Sequence, residues 1–231
     1  MSIDTLFLDA GGVLIFPNWQ RVSDVLRTHG VQVDPGVLAA AEPAAKRRID
    51  TRDIIAASTD QQRSFPYFDL VLAEANVPQN AATEAALKEL HAYHQAHNLW
   101  EDVPPDVVPA LARFRDLGLR VIVISNANGT LRLCFDRVGL TVCLDDALDS
   151  HVEGVEKPDP RLFQIGLERA GSTPDRTMHV GDLYHVDVVG ARNAGIRPML
   201  LDPWNLYPQA DCPRVRSLAE LCAGLEAGLW D

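Results

Sequence analysis

Hydrophobic and polar positions divide this chain into a short apolar start, a long helical stretch and a run of alternating strands and helices. Ile3 to Leu8 is apolar apart from Asp4 and Thr5, ends at Asp9, passes Gly11 and Gly12, and turns apolar again at Val13. That pattern predicts a buried parallel strand carrying a carboxylate to the carboxyl edge of a sheet, where open α/β sheets bind ligands. The two glycines permit a sharp turn and close approach of a ligand to the main chain. Taken alone, the same residues also fit a strand that merely ends in a turn.

From Pro17 to Asn98 helical signals follow one another and no convincing strand appears. Asn18 can cap a helix carrying Val22, Val25 and Leu26 that ends near His29-Gly30. Asp34-Pro35 opens a second, with Pro43 expected to kink or end it before Lys46-Arg47-Arg48. Further helices are predicted near 68–75 and 81–98, the latter rich in Ala, Leu, Glu and Lys. The region reads as a mostly helical insert, a small antiparallel bundle.

Beyond a proline-containing connector at 100–105 the strand–helix alternation resumes. A helix over 106–117 stops at Gly118, and a nearly all-apolar strand over 119–124 closes at Ser125-Asn126. Then come a helix near 129–138, a short segment around Val142-Cys143-Leu144, and a helix from Asp159-Pro160 to Ala170. A strand over 177–180 ends in Gly181-Asp182, a helix follows over 185–194, and a strand over 198–201. Ser217 and Glu220 form a capping box for the last helix. The expected fold is α/β, a doubly wound parallel sheet. Its core spans residues 1–16 and 101–231, and the helical insert spans 17–100.

The formal net charge of -11 argues against nucleic acid or an anionic membrane as partner, since the long-range field repels both. The first residues show no basic region followed by an apolar core, and no run approaches membrane-spanning length. Cys134, Cys143, Cys212 and Cys222 have no close-pair spacing, so reduced thiols in a cytoplasmic protein are expected. A homodimer is allowed for, although no residue pattern specifies the oligomeric state.

Asp9, Ser125-Asn126 and Asp182 all fall just past predicted strands. Asp187 follows Asp182 closely enough for both acids to face one point from a loop and a helix start. Carboxylates gathered in this way repel unless a cation holds them, and oxygen ligands suit magnesium. Lys157, in the loop before a proline-started helix, is one of only three lysines in the chain. A lysine, a hydroxyl and free backbone amides beside a metal make a phosphate-binding site.

In order along the chain, these residues resemble the four motifs of the haloacid dehalogenase superfamily of hydrolases. Asp9-Ala10-Gly11-Gly12-Val13 resembles the nucleophile motif D-x-D-x-(T/V), save at its third position. Ser125 is similar to the second motif, Lys157 to the third, and Gly181-Asp182 with Asp187 to the acidic fourth. The insert stands where that family places a helical cap. The resemblance implies that Asp9 attacks phosphorus to form a phospho-aspartate that water then cleaves. It also implies Mg2+ held by Asp9, the Gly11 carbonyl and Asp182, with Asp187 close by or acting through water. Ser125, Asn126 and Lys157 would bind the phosphoryl group of a small phosphorylated metabolite, with a sugar phosphate one candidate.

Gly11 departs from the family pattern, which usually has there an aspartate that protonates the leaving group. General acid–base help is worth ~10²–10⁴-fold, so three readings stay open. They are a phosphatase for substrates with good leaving groups, a 2-haloacid dehalogenase, and a phosphate-binding protein without turnover. The pair Asp182 and Asp187 weighs against dehalogenation, which needs no metal.

Several other residues invite roles. His91, His94 and His97 drift round a helix by about 60° per step, so they predict a solvated or hinge-facing stripe rather than a zinc site. Lys46-Arg47-Arg48 reads equally as contacts to an anionic substrate or as a solvated basic stretch. Trp19 and Tyr67 fit either a cleft lining or insert core. His185 is a candidate replacement for the missing acid, and Asp159 and Arg161 are expected to serve only their own helix.

Overall fold

The computed structural model describes residues 3–230, which form two compact units divided between residues 16 and 17 and between residues 101 and 102, the second unit being the stretch 17–101. The first strand, β1 (Thr5–Leu8), is followed by β2 (Phe16–Pro17). The insert then supplies α1 (Trp19–Thr28), α2 (Pro35–Ile49), α3 (Arg52–Ala57), α4 (Asp60–Glu74) and α5 (Ala81–His97). The chain returns through β3 (Trp100–Asp102), which pairs with β2 in a two-stranded sheet.

The remaining elements are α6 (Val107–Asp116), β4 (Arg120–Ser125), α7 (Leu131–Val138), β5 (Asp146–Asp149), α8 (Ser150–Glu153) and α9 (Pro160–Ala170). They are followed by β6 (Thr177–Gly181), a π-helical turn at Tyr184–Val188, α10 (Val189–Asn193), β7 (Arg197–Leu201), β8 (Arg214–Val215) and α11 (Leu218–Glu226). The main sheet has the order β5-β4-β1-β6-β7-β8 and every pairing in it is parallel. This is the doubly wound α/β fold that the alternation of strands and helices predicts.

Both faces of the central strands are covered, as their near-continuous apolar sequence requires. Phe7, Ile122 and Ile124 join Leu162, Phe163 and Leu167 of α9 and Ala191 of α10 in one cluster. The alternate residues Leu6, Leu8, Val121 and Val123 are equally buried and face the opposite side. That side is left to α6, which packs on β4, and to α11, which packs on α6. Each such side chain contributes roughly 1.5–3 kcal/mol on burial.

The insert has a short helix, α3, that the sequence reading does not expect, and two of its helices run through prolines. α2 runs through Pro43 to Ile49, and α4 begins at Asp60 and runs through Pro66. An interior proline costs a helix roughly 3 kcal/mol. Here packing outweighs it: Leu38, Ala41, Ala45 and Ile49 of α2 share a core with Phe68, Val71 and Leu72 of α4. The start of α4 is fixed by a capping box between Thr59 and Gln62.

Lys46 is not solvated, because its ammonium lies 3.3 Å from Glu42 Oε1 and both side chains are buried. Trp19 and Tyr67 are core residues that donate to the two oxygens of Glu42, at 3.2 and 2.7 Å. Of the three histidines of α5, His97 is exposed while His91 and His94 are half-buried. His94 Nδ1 accepts the Leu99 N–H at 3.1 Å while the His97 ring stacks on Tyr93. Burial pushes the His94 imidazole down to about 4.

In the core unit, the short segment around Val142 is a single 3-10 turn over residues 141–143, and it is followed by β5, a strand the sequence pattern does not announce. The two-residue β8 is too short to leave a periodic signal. Ser217 does cap α11, but Glu220 reaches back to the Arg216 N–H rather than to that of Ser217.

Candidate active site

Parallel pairing aligns the carboxyl ends of β1, β4 and β6, since Leu8 is level with both Val123 and Val180. After β1 the chain winds toward β4 and β5, and after β6 it winds the other way, toward β7 and β8. The crevice between β1 and β6 is therefore the switch point where such sheets bind ligands. Asp9 continues β1 there, its N–H donating to Val180 O at 2.9 Å, and Asp182 continues β6. The turn after Asp9 closes tightly: the N–H groups of Val13, Leu14 and Ile15 all donate to Ala10 O. Its left-handed residue is Gly12, at φ 76°, and not Gly11.

Lys157 joins these acids from the loop before α9. Its side chain is 1% exposed, with Nζ 2.8 Å from Asp9 Oδ1 and 2.7 Å from Asp187 Oδ1. The loop is held by Asn126 at the end of β4. The Lys157 N–H donates to Asn126 Oδ1 at 2.7 Å, and Asn126 Nδ2 donates back to Lys157 O at 2.9 Å. Each end of that side-chain amide, expected to meet the substrate, thus makes one hydrogen bond to the lysine's main chain. Ser125, the last residue of β4, is buried, and its hydroxyl donates to Asn126 O at 3.3 Å.

Asp187 reaches the cluster because the chain makes a π-helical turn between Asp182 and α10. Its Oδ2 accepts the Leu183 N–H at 3.0 Å. Gly181 is required beside it, since a Cβ there would lie 2.1 Å from Asp187 Cγ. His185 stands on this turn with its ring edge-on to Tyr184. Asp159 and Arg161 pair with each other at the start of α9, the Arg161 guanidinium donating to both Asp159 oxygens.

His179 is the residue that sequence reasoning missed. Its Nε2 lies 3.0 Å from Asp187 Oδ1 and its side chain is wholly buried. The available signal was its position: a histidine two residues before Gly181-Asp182, inside a strand covered on both faces.

The electrostatics follow from one cation among several acids. Burial alone would lower the Lys157 pKa, but Asp187 and Asp9 outweigh it and hold the ammonium above its ordinary value. Burial would likewise raise Asp187, yet Lys157 and His179 hold it well below the usual carboxylate range. Asp9 moves the other way: burial pushes it up, and Lys157 only partly opposes this. The shared ammonium serves Asp187 better than Asp9. Although Lys157 is near, Asp9 Oδ1 is buried without a well-directed hydrogen bond.

Asp9, Asp182 and Asp187 each place a carboxylate oxygen within 4.8 Å of the others, the one such group found among the described residues. A buried, incompletely satisfied carboxylate oxygen beside a second acid fits a hard divalent cation with oxygen ligands. Asp187 is the poorest donor of the three, because Lys157, His179 and Leu183 already occupy its oxygens.

The family model of haloacid dehalogenase-like hydrolases matches residues 3–195. The chain belongs to that family. It is similar to a human haloacid dehalogenase-like hydrolase domain-containing protein 3, with 31% identity over 82% of this chain and 75% of that one. It is also similar to a glyceraldehyde 3-phosphate phosphatase of Methanopyrus kandleri, with 29% identity over 56% of this chain and 55% of that one. Among solved structures, the HAD-hydrolase YfnB from Bacillus subtilis, bound to magnesium, superposes with a TM-score of 0.70. That likeness covers 97% of this chain and 99% of that chain at 17% identity, and so speaks for the fold. The protein is a hydrolase, and among its described residues no helix is long and apolar enough to cross a membrane.

Proposed function

We propose that this hydrolase is a magnesium-dependent phosphatase that acts through a phospho-aspartate on a small phosphorylated metabolite. The observation that carries the reading is the placement of Asp9 and Asp182 at the sheet's switch point, with Lys157 buried between Asp9 and Asp187. Relatives named as phosphatases for glyceraldehyde 3-phosphate, ribulose 1,5-bisphosphate and phosphoserine support the substrate class.

A carboxylate oxygen of Asp9 attacks phosphorus while the bond to the leaving oxygen breaks. Water then attacks the same phosphorus, freeing inorganic phosphate and restoring Asp9. Lys157 and the Ser125 hydroxyl meet the phosphoryl oxygens and offset the charge spread over them in the transition state. Asn126 supports Lys157 by clamping its main chain. Asp9, Asp182 and the Gly11 carbonyl would hold Mg2+, with Asp187 acting from behind through Lys157. When bound, the ion offsets phosphoryl charge.

No acid stands at position 11 to protonate the leaving oxygen, so esters with stable leaving groups, anomeric sugar phosphates among them, are the preferred substrates. A panel of phosphate esters with Mg2+, with chelator, and with Mg2+ restored tests the reading. Activity that vanishes and returns supports it. Chloride release from 2-chloropropionate that chelator leaves unchanged would overturn it in favour of a dehalogenase. Bound phosphate without turnover would make the protein a binding module.

A further inference from the structure

We propose that His179 is a positioning residue of this site: its Nε2–H fixes the carboxylate of Asp187, and Asp187 in turn fixes the ammonium of Lys157. The proposal rests on the reading above in so far as Lys157 meets a phosphoryl group.

His179 lies in β6 between Met178 and Val180, with its ring edge-on to Phe163 at 4.9 Å. Asp187 is ionised and can only accept, so the proton of a neutral imidazole must reside on Nε2, 3.0 Å from Asp187 Oδ1. Lys157 Nζ approaches the same oxygen at 2.7 Å, and the Leu183 N–H takes the other oxygen. Two donors on one oxygen and a third on its partner leave the carboxylate a single orientation. That orientation aims Oδ1 at the ammonium that also touches Asp9.

The rest of the imidazole argues against simple space filling. His179 Nδ1 is buried and has no hydrogen-bond partner among the described residues. A leucine or methionine would fill an otherwise apolar strand without burying that unpaired nitrogen. What the histidine adds is the Nε2–H. Partners of this kind, one step behind the groups that touch substrate, typically matter by about 10–100-fold.

His179→Gln can present an amide N–H near the position of Nε2, whereas His179→Leu removes the donor and keeps the bulk. His179→Leu is expected to lower kcat by about 10–100-fold with KM little changed, and His179→Gln to recover most of that loss. Long-range 1H–15N NMR on the wild type should show the Nε2–H tautomer. Equal losses in the two variants at comparable thermal midpoints, or an Nδ1–H tautomer, would overturn the proposal. If His179→Leu does not fold, a His179→Gln variant that folds but is as impaired as Lys157→Ala would overturn it too. A wild type that neither turns over esters nor binds inorganic phosphate would refute the phosphatase reading instead. The tautomer would then decide the role of His179 by itself.

Discussion

Replacing Lys157 by methionine keeps most of the side chain's volume and deletes the one ammonium shared by Asp9 and Asp187. Both partners are buried, at 2.8 and 2.7 Å from Nζ, so water cannot take over the lost interaction. Removing one member of a buried ion pair costs about 3–5 kcal/mol, mostly because a charge is left uncompensated. At roughly 2–4 °C per kcal/mol for a chain of this size, the thermal midpoint of the core unit should fall by about 6–20 °C. The loss should also depend on pH. In the wild type Asp187 is held well below the usual carboxylate range, so its contribution is present above the unfolded value of about 3.9 and fades only as pH falls through the folded one. Without Lys157 both carboxyls are pushed up by burial, and the folded variant then binds more protons than the unfolded chain. Its stability should therefore fall as pH rises, making the deficit largest at pH 8 and smaller toward pH 5. Urea melts of both proteins at pH 5, 6, 7 and 8, with chelator present, measure this directly. Adding Asp187→Asn to the variant should restore part of the loss, since a neutral amide leaves less buried charge. A deficit below about 1 kcal/mol, or one constant across that pH range, would refute the claim that this lysine holds two desolvated carboxylates.

Asp9→Asn should reduce ester turnover to background with thermal stability kept or raised, because it removes the nucleophile and one buried charge; substantial residual turnover, with deamidation excluded by mass spectrometry, would count against a phospho-aspartate. Gly11→Asp should speed alkyl phosphates most, by up to ~10²–10⁴-fold, and the left-handed residue of the turn, Gly12, is untouched by it. Rates across esters of graded leaving-group pKa check this, and a flat wild-type dependence would show that another group, His185 being the first to test, already donates the proton. In the insert, burial holds His94 at about 4 against 6.5 unfolded, so its contribution is complete above pH 6.5 and is lost as pH falls toward 4, by about 3 kcal/mol at most. His94→Asn, whose Oδ1 takes the place of Nδ1 as acceptor for the Leu99 N–H, should flatten that part of the stability profile, and an unchanged profile would refute the assignment.

Much of the core was legible because local chemistry and global fold agree there. The apolar strands ending in Asp9, Ser125 and Gly181-Asp182 announce themselves by composition, and the caps at Asn18, Asp34 and Asp159 act in the structure as their sequences suggest. The fold class and the gathering of Asp9, Lys157, Asp182 and Asp187 follow from strand ends that parallel register must align. What the sequence could not determine is where each polar atom goes once water is excluded. The interior prolines of α2 and α4 are tolerated because packing between those helices outweighs a local penalty, and no window of sequence contains that partner. Lys46 looks solvated in its basic stretch, but tertiary structure buries it against Glu42 beside Trp19 and Tyr67. Asn126 sits where a ligand contact is expected, and its amide also clamps a main chain 31 residues away, a bond no local pattern announces. His179 gave only the signal of a polar residue in an apolar strand. Its meaning depends on a π-helical turn that brings Asp187 back to meet it, and such a turn has no sequence period by which to be read.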